Sequence, residues 1–149
     1  MSGKPSGRTA PTRPARRSRP LLAAAALLLA AGCLPAARFS LSGSITAPPH
    51  IQKAAEQPNT VLFIVATNAA GVPIAVKRVI NPIFPLRYQL RVDDLVLPGK
   101  VWQGPLTVKV FVNSHGRLGE VQKGDLTGAY HGSAYAGDRD VDIVIDRQV

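Results

Sequence analysis

Seven short stretches of this 149-residue chain carry apolar, β-favouring side chains, and every gap between them contains Gly, Pro, Asn or Asp. They are residues 40–46, 60–67, 74–80, 86–92, 106–113, 127–131 and 141–146. The gaps hold Pro48-Pro49, Gly71-Val72-Pro73, Asn81-Pro82, Pro98-Gly99, His115-Gly116 and Gly137-Asp138. There Gly supplies positive φ and Pro ends ladder pairing. No segment beyond residue 40 has a long helical period. A chain punctuated this often is confined to short strands joined by turns.

Three of the strands alternate cleanly, which assigns their faces. In residues 86–92, Leu86, Tyr88, Leu90 and Val92 point one way, and Arg87, Gln89 and Arg91 point to water. Leu106, Val108, Val110 and Val112 are set against Thr107 and Lys109, and Val141, Ile143 and Ile145 against Asp140, Asp142 and Asp146. By contrast, Val61 to Ala66 is apolar on both faces, the pattern of a central strand covered twice. Seven such strands predict an all-β fold, an immunoglobulin-like antiparallel β-sandwich spanning residues 40–149. The single cysteine rules out an internal disulfide, so packing of Phe63, Tyr88, Val110 and their neighbours is expected to hold the two sheets together.

The first 32 residues are of a different kind. A basic arm with Arg13, Arg16, Arg17 and Arg19 is followed by an apolar run from Leu21 to Ala31 and then by Gly32-Cys33. That order is the order of a secretory signal. The run covers only about eleven residues, against the roughly twenty that a membrane-spanning helix needs. Ala30, Ala31 and Gly32 before the cysteine resemble the lipobox of bacterial lipoproteins, although Ala30 stands where Leu is commonest. The resemblance implies cleavage before Cys33, lipidation of its thiol and a lipidated tether over residues 33–39. The protein is then expected to be a lipoprotein of the cell envelope that faces the periplasm. With Leu34 next, and no Asp there to argue for inner-membrane retention, the outer membrane is favoured. Arg16-Arg17 leaves both the general secretory and the twin-arginine routes open, because Pro20 follows closely.

The formal charge of +9 is dominated by the same segment: six of the eighteen basic residues precede residue 20 with no acid beside them. Without residues 1–32 there remain twelve basic and nine acidic side chains, a net of +3. No basic patch interleaved with aromatic residues survives, so nucleic acid is not an expected partner.

Val61 to Ala66 is followed by Gly71-Val72-Pro73-Ile74-Ala75-Val76-Lys77-Arg78, and then in order come Phe84-Pro85-Leu86, Asp93-Asp94, Pro98-Gly99, Val108-Lys109-Val110, Ser114-His115-Gly116 and Gly124-Asp125-Leu126-Thr127-Gly128. In this order and spacing the motifs resemble the C-terminal periplasmic domain of the cytochrome c-type biogenesis protein CcmI, also called CycH. Phe111 and Asn113 depart from the pattern, where a small residue and a basic one are expected. The resemblance implies an immunoglobulin-like sandwich and a role in assembling c-type cytochromes, with maturation subunits or apocytochrome c as partners. It implies no catalytic residue. The transmembrane helices and helical repeat region of those proteins have no counterpart in this sequence.

Polar clusters elsewhere in the chain support no enzyme chemistry. His50, His115 and His131 lack paired metal-ligand spacing and read as solvated, and no haem-attachment sequence is present. Asp93-Asp94 fits a turn through Asx hydrogen bonds better than an acid and base pair. Asp138, Asp140, Asp142 and Asp146 fall at period two, as an exposed acidic edge does. Ser114-His115 lacks a glycine-flanked nucleophile elbow. Trp102, between Gly99 and Gly104, is either an exposed anchor for a partner or the lid of the core.

No catalytic residue, cofactor site or metal site is therefore expected. The expected protein is a membrane-anchored binding or assembly module for c-type cytochrome biogenesis. The alternative is a structural or adhesive envelope lipoprotein unrelated to haem proteins.

Overall fold

The computed structural model describes residues 38–149 apart from Pro98, Lys100 and Val101, together with Gly3 and Gly7. Apart from Gly3 and Gly7, the expected signal segment, Cys33 and most of the expected tether lie outside the described residues.

The seven expected strands are all present. They are β1 (Ser40–Thr46), β2 (Val61–Thr67), β3 (Pro73–Ile80), β4 (Leu86–Arg91), β5 (Thr107–Asn113), β6 (Leu126–Ala129) and β7 (Ile143–Gln148). They form one sheet in the order β3-β2-β5-β6-β7-β1-β4. Every pairing is antiparallel except that of β1 with β7, which run parallel through Ile45–Ile143 and Thr46–Val144. The antiparallel expectation thus fails at the one place where the first and last strands meet side by side.

The sheet rolls on itself. Leu62, Ile64, Val108 and Val110 from one half and Leu41, Ile45, Leu90 and Ile143 from the other join a single buried core. The two ends of the sheet meet where Ala75 bridges Leu95 and the Val96 N–H donates to the Ile74 carbonyl at 2.9 Å. This contact covers the start of the β3 edge, which would otherwise present unpaired backbone groups. The result is an immunoglobulin-like sandwich made from one continuous sheet.

Burial follows the alternation with two corrections. Tyr88 and Leu90 are buried and Arg87 and Arg91 exposed, as expected, but Val92 is 49% exposed. The Asp94 carboxylate accepts the Arg91 N–H at 2.8 Å and closes a 3-10 turn over Val92–Asp94, so the strand stops before Val92 can turn inward. Phe63 does not lie between the two halves. With Val61, Val65, Val76 and Phe111 it forms a second cluster on the outer face of β2 and β5. An all-apolar strand has two faces to bury, and Phe63 falls on the odd-numbered one.

Pro48-Pro49 does more than break β1. It opens α1 (Pro49–Ala55), with Pro in the first turn, where its missing N–H costs nothing. Ile51 and Ala55, four residues apart, bury one face of this short helix against the core. At its end, Glu56 Oε1 accepts the Phe84 N–H at 2.8 Å and the Gln52 side-chain amide at 3.0 Å. These bonds tie the helix to the β3–β4 connection and hold the Glu56 carboxyl below its usual range, the Phe84 amide first and Gln52 second.

Candidate functional site

The outer face of β2 and β5 carries an apolar concavity. Val65 and Phe111 form its floor, Pro73 closes one side, and the chain between β5 and β6 folds Leu118 and Val121 over it, leaving a groove of about 260 Å³. Leu118 and Val121 remain 39% and 60% exposed, so the groove is open to a partner. Lys109 and Thr127 stand at its margins, with Arg117 and Glu120 joined across 3.0 Å on the rim. That ion pair is well exposed and contributes little to stability.

Three polar side chains shape the overhanging loop. Asn113 donates its side-chain amide to the Arg117 carbonyl at 3.1 Å and accepts the Gly116 N–H at 2.8 Å. His115 Nδ1 accepts the Arg117 N–H at 3.3 Å. With Nδ1 accepting, the ring proton sits on Nε2, which donates to Asp125 Oδ2 at 3.2 Å. The same carboxylate oxygen accepts the Gln122 N–H at 2.8 Å. His115 is therefore a half-buried brace for the loop, which corrects the expectation of three solvated histidines; His50 and His131 are exposed.

Three of the aspartates, Asp94, Asp138 and Asp142, also spend their side chains on backbone and neighbours. Asp94 closes the turn after β4 and pairs with Lys77 at 3.2 Å, while Asp93 is exposed. The two carboxylates thus have different surroundings. Asp142 Oδ1 accepts both the Ser44 hydroxyl at 2.8 Å and the Ser44 N–H at 2.7 Å, and these bonds, the hydroxyl first, hold its carboxyl below the ordinary range. Asp138 accepts the Tyr135 N–H at 2.8 Å. Ser114 is exposed, and His115 beside it is engaged by Asp125. Among the described residues no three His, Cys, Asp or Glu side chains are placed to share a metal ion.

Trp102 is half-buried. Its ring centroid lies 6.1 Å from that of Phe39 at an interplanar angle of 49°, a tilted aromatic contact at the edge of the core. Arg38, Val92, Val96 and Trp102 surround a second recess of about 480 Å³, floored by Phe39. Trp102 thus packs against the core while part of its ring stays exposed. Cys33 lies outside the described residues.

Sequence reasoning missed the groove. Its signals were Phe111, an aromatic residue on the polar side of an alternating strand, and Leu118 and Val121, two apolar side chains in a polar, glycine-rich connection.

Fold and groove define an immunoglobulin-like domain with an open apolar face. The chain belongs to the cytochrome c-type biogenesis protein H Ig-like domain family, whose model matches residues 41–146. No curated protein and no solved structure gives a match. Among the described residues no helix is long and apolar enough to cross a membrane.

Proposed function

We propose that this protein is a non-catalytic, lipid-anchored assembly module of c-type cytochrome biogenesis, held at the periplasmic face of an envelope membrane through Cys33. The observation that carries the reading is the family match over residues 41–146, which spans all but the ends of the sandwich. Support for a binding role comes from the apolar groove over Val65 and Phe111. Support for a role without catalysis comes from the engagement of His115, Asp94, Asp125 and Asp142 in bonds that hold turns and loops. The partners are maturation subunits or a segment of apocytochrome c. Lipid chains supply location, and confinement to a surface raises the effective concentration of a weak partner.

Purification of the tagged protein from detergent-solubilised envelopes tests this reading. Recovery of cytochrome-maturation proteins, reduced by Phe111→Ala or Val121→Glu in the groove, is the expected result. A preparation dominated by cell-wall or outer-membrane structural proteins, unchanged by those substitutions, contradicts it.

A further inference from the structure

The recess between Arg38, Val92, Val96 and Trp102 lies at the place where the described chain begins. Val92 and Val96 are 49% and 53% exposed, Trp102 keeps a free face, and Arg38 is exposed. An apolar rim, one tryptophan and one arginine together match the chemistry of a membrane interface, where indole rings sit at headgroup depth and basic side chains meet phosphates.

The length of the tether selects this end of the domain. Cys33 and Arg38 are five peptide steps apart, so even a fully extended tether reaches at most about 18 Å. A folded unit of about 110 residues has a radius of gyration of about 13 Å, so the tether is shorter than the domain is wide. With Cys33 lipidated, the surface around Arg38 is held within about 18 Å of the bilayer, closer than any surface on the far side of the domain.

We infer that the Arg38–Val92–Val96–Trp102 recess is a membrane-docking surface that seats the domain on the phospholipid interface. This rests on the reading of Cys33 as lipidated. The docking of Val92, Val96 and Trp102 orients the domain, and the lipid anchors it.

Trp102 is the single tryptophan of the chain, so its emission reports on this surface alone. The protein, purified from cells with its native N-terminus, is incorporated into vesicles of phosphatidylethanolamine and phosphatidylglycerol whose acyl chains carry bromine close to the headgroup. Mass spectrometry of the N-terminal peptide reports lipid on Cys33, flotation reports anchoring, and bromine quenching reports the depth of Trp102. The expected result is a lipidated protein that floats with the vesicles and loses most of its Trp102 emission. The V92E/V96E variant floats equally and keeps its emission. Both valines are already exposed, and an unchanged melting temperature of the variant confirms an intact fold. A lipidated, floating wild type with unquenched Trp102 overturns the docking surface and leaves the anchor standing, whether a second copy or another protein covers the recess instead. Quenching that survives V92E/V96E also overturns it. A protein without lipid on Cys33 that fails to float overturns the anchor itself, and the docking surface falls with it.

Discussion

The Tyr88 hydroxyl donates a 2.8 Å hydrogen bond to the backbone carbonyl of Val141, joining β4 to the segment that enters β7. Between them lies β1, where Gly43 stands opposite Tyr88 in the strand register. A Cβ at Gly43 would strike the Val141 carbonyl, so the bare backbone at this position lets the three segments come together. The hydroxyl is buried and its partner is main chain, which makes the bond costly to lose. Tyr88→Phe is expected to destabilise the domain by about 1–2 kcal/mol, since a buried acceptor is left without a donor. A shift in the urea midpoint with an unchanged slope checks this.

Two glycines separate two kinds of constraint. Gly43→Ala drives a methyl group into backbone that cannot yield, and is expected to cost about 3 kcal/mol or to prevent folding. Gly71 has open space around its Cβ position but a φ of +77°, so Gly71→Ala is expected to cost only about 1–2 kcal/mol, the price of left-handed backbone for an L-residue. Thermal melts of the two variants measure the gap, and equal losses would contradict the account.

Stability is expected to fall at both extremes of pH. The folded-state pKa values of Glu56 and Asp142 lie below their ordinary ones, so the folded state binds fewer protons than the unfolded chain at the acidic end. Their contribution is complete above the usual carboxylate range and is lost as pH drops through the folded values. The melting temperatures of wild type and Glu56→Gln should therefore converge as the solution is acidified below 4.5, the ordinary value of a glutamate carboxyl. Burial raises the Tyr88 phenol, with Asp142 adding to the shift, so the folded state keeps a proton that the unfolded chain releases above 10.0. Stability then declines as pH rises past that value, and Tyr88→Phe flattens this alkaline limb.

The brace between His115 and Asp125 shapes the loop over the groove, since Asp125 also holds the Gln122 amide. Asp125→Ala is expected to cost about 1–2 kcal/mol. It should speed hydrogen exchange in residues 114–125 while leaving β2 and β5 protected. Exchange that rises across the whole sheet would show that the residue holds the fold and not the loop.

Much of the fold was legible because strand signals depend on local pattern. Alternation placed Tyr88, Leu90, Val108, Val110, Ile143 and Ile145 in the core, and all are buried. What failed depended on contacts distant in sequence. A twofold apolar strand shows that both faces of β2 are covered, but which cover takes Phe63 is settled only by the position of Phe111 across the sheet. Pro48-Pro49 marks both a strand break and a helix start, and burial of Ile51 and Ala55 decides between them. His115 looked solvated because its partner Asp125 is ten residues away, across a loop whose course no local rule specifies.

The central claim, a membrane-anchored role in c-type cytochrome biogenesis, is tested most directly by haem staining of envelope fractions from a deletion strain. The strain is complemented with either the wild-type chain or Cys33→Ala. The account predicts that c-type cytochrome staining falls on deletion, returns with the wild type and does not return with Cys33→Ala. Staining that is unchanged by deletion would contradict it.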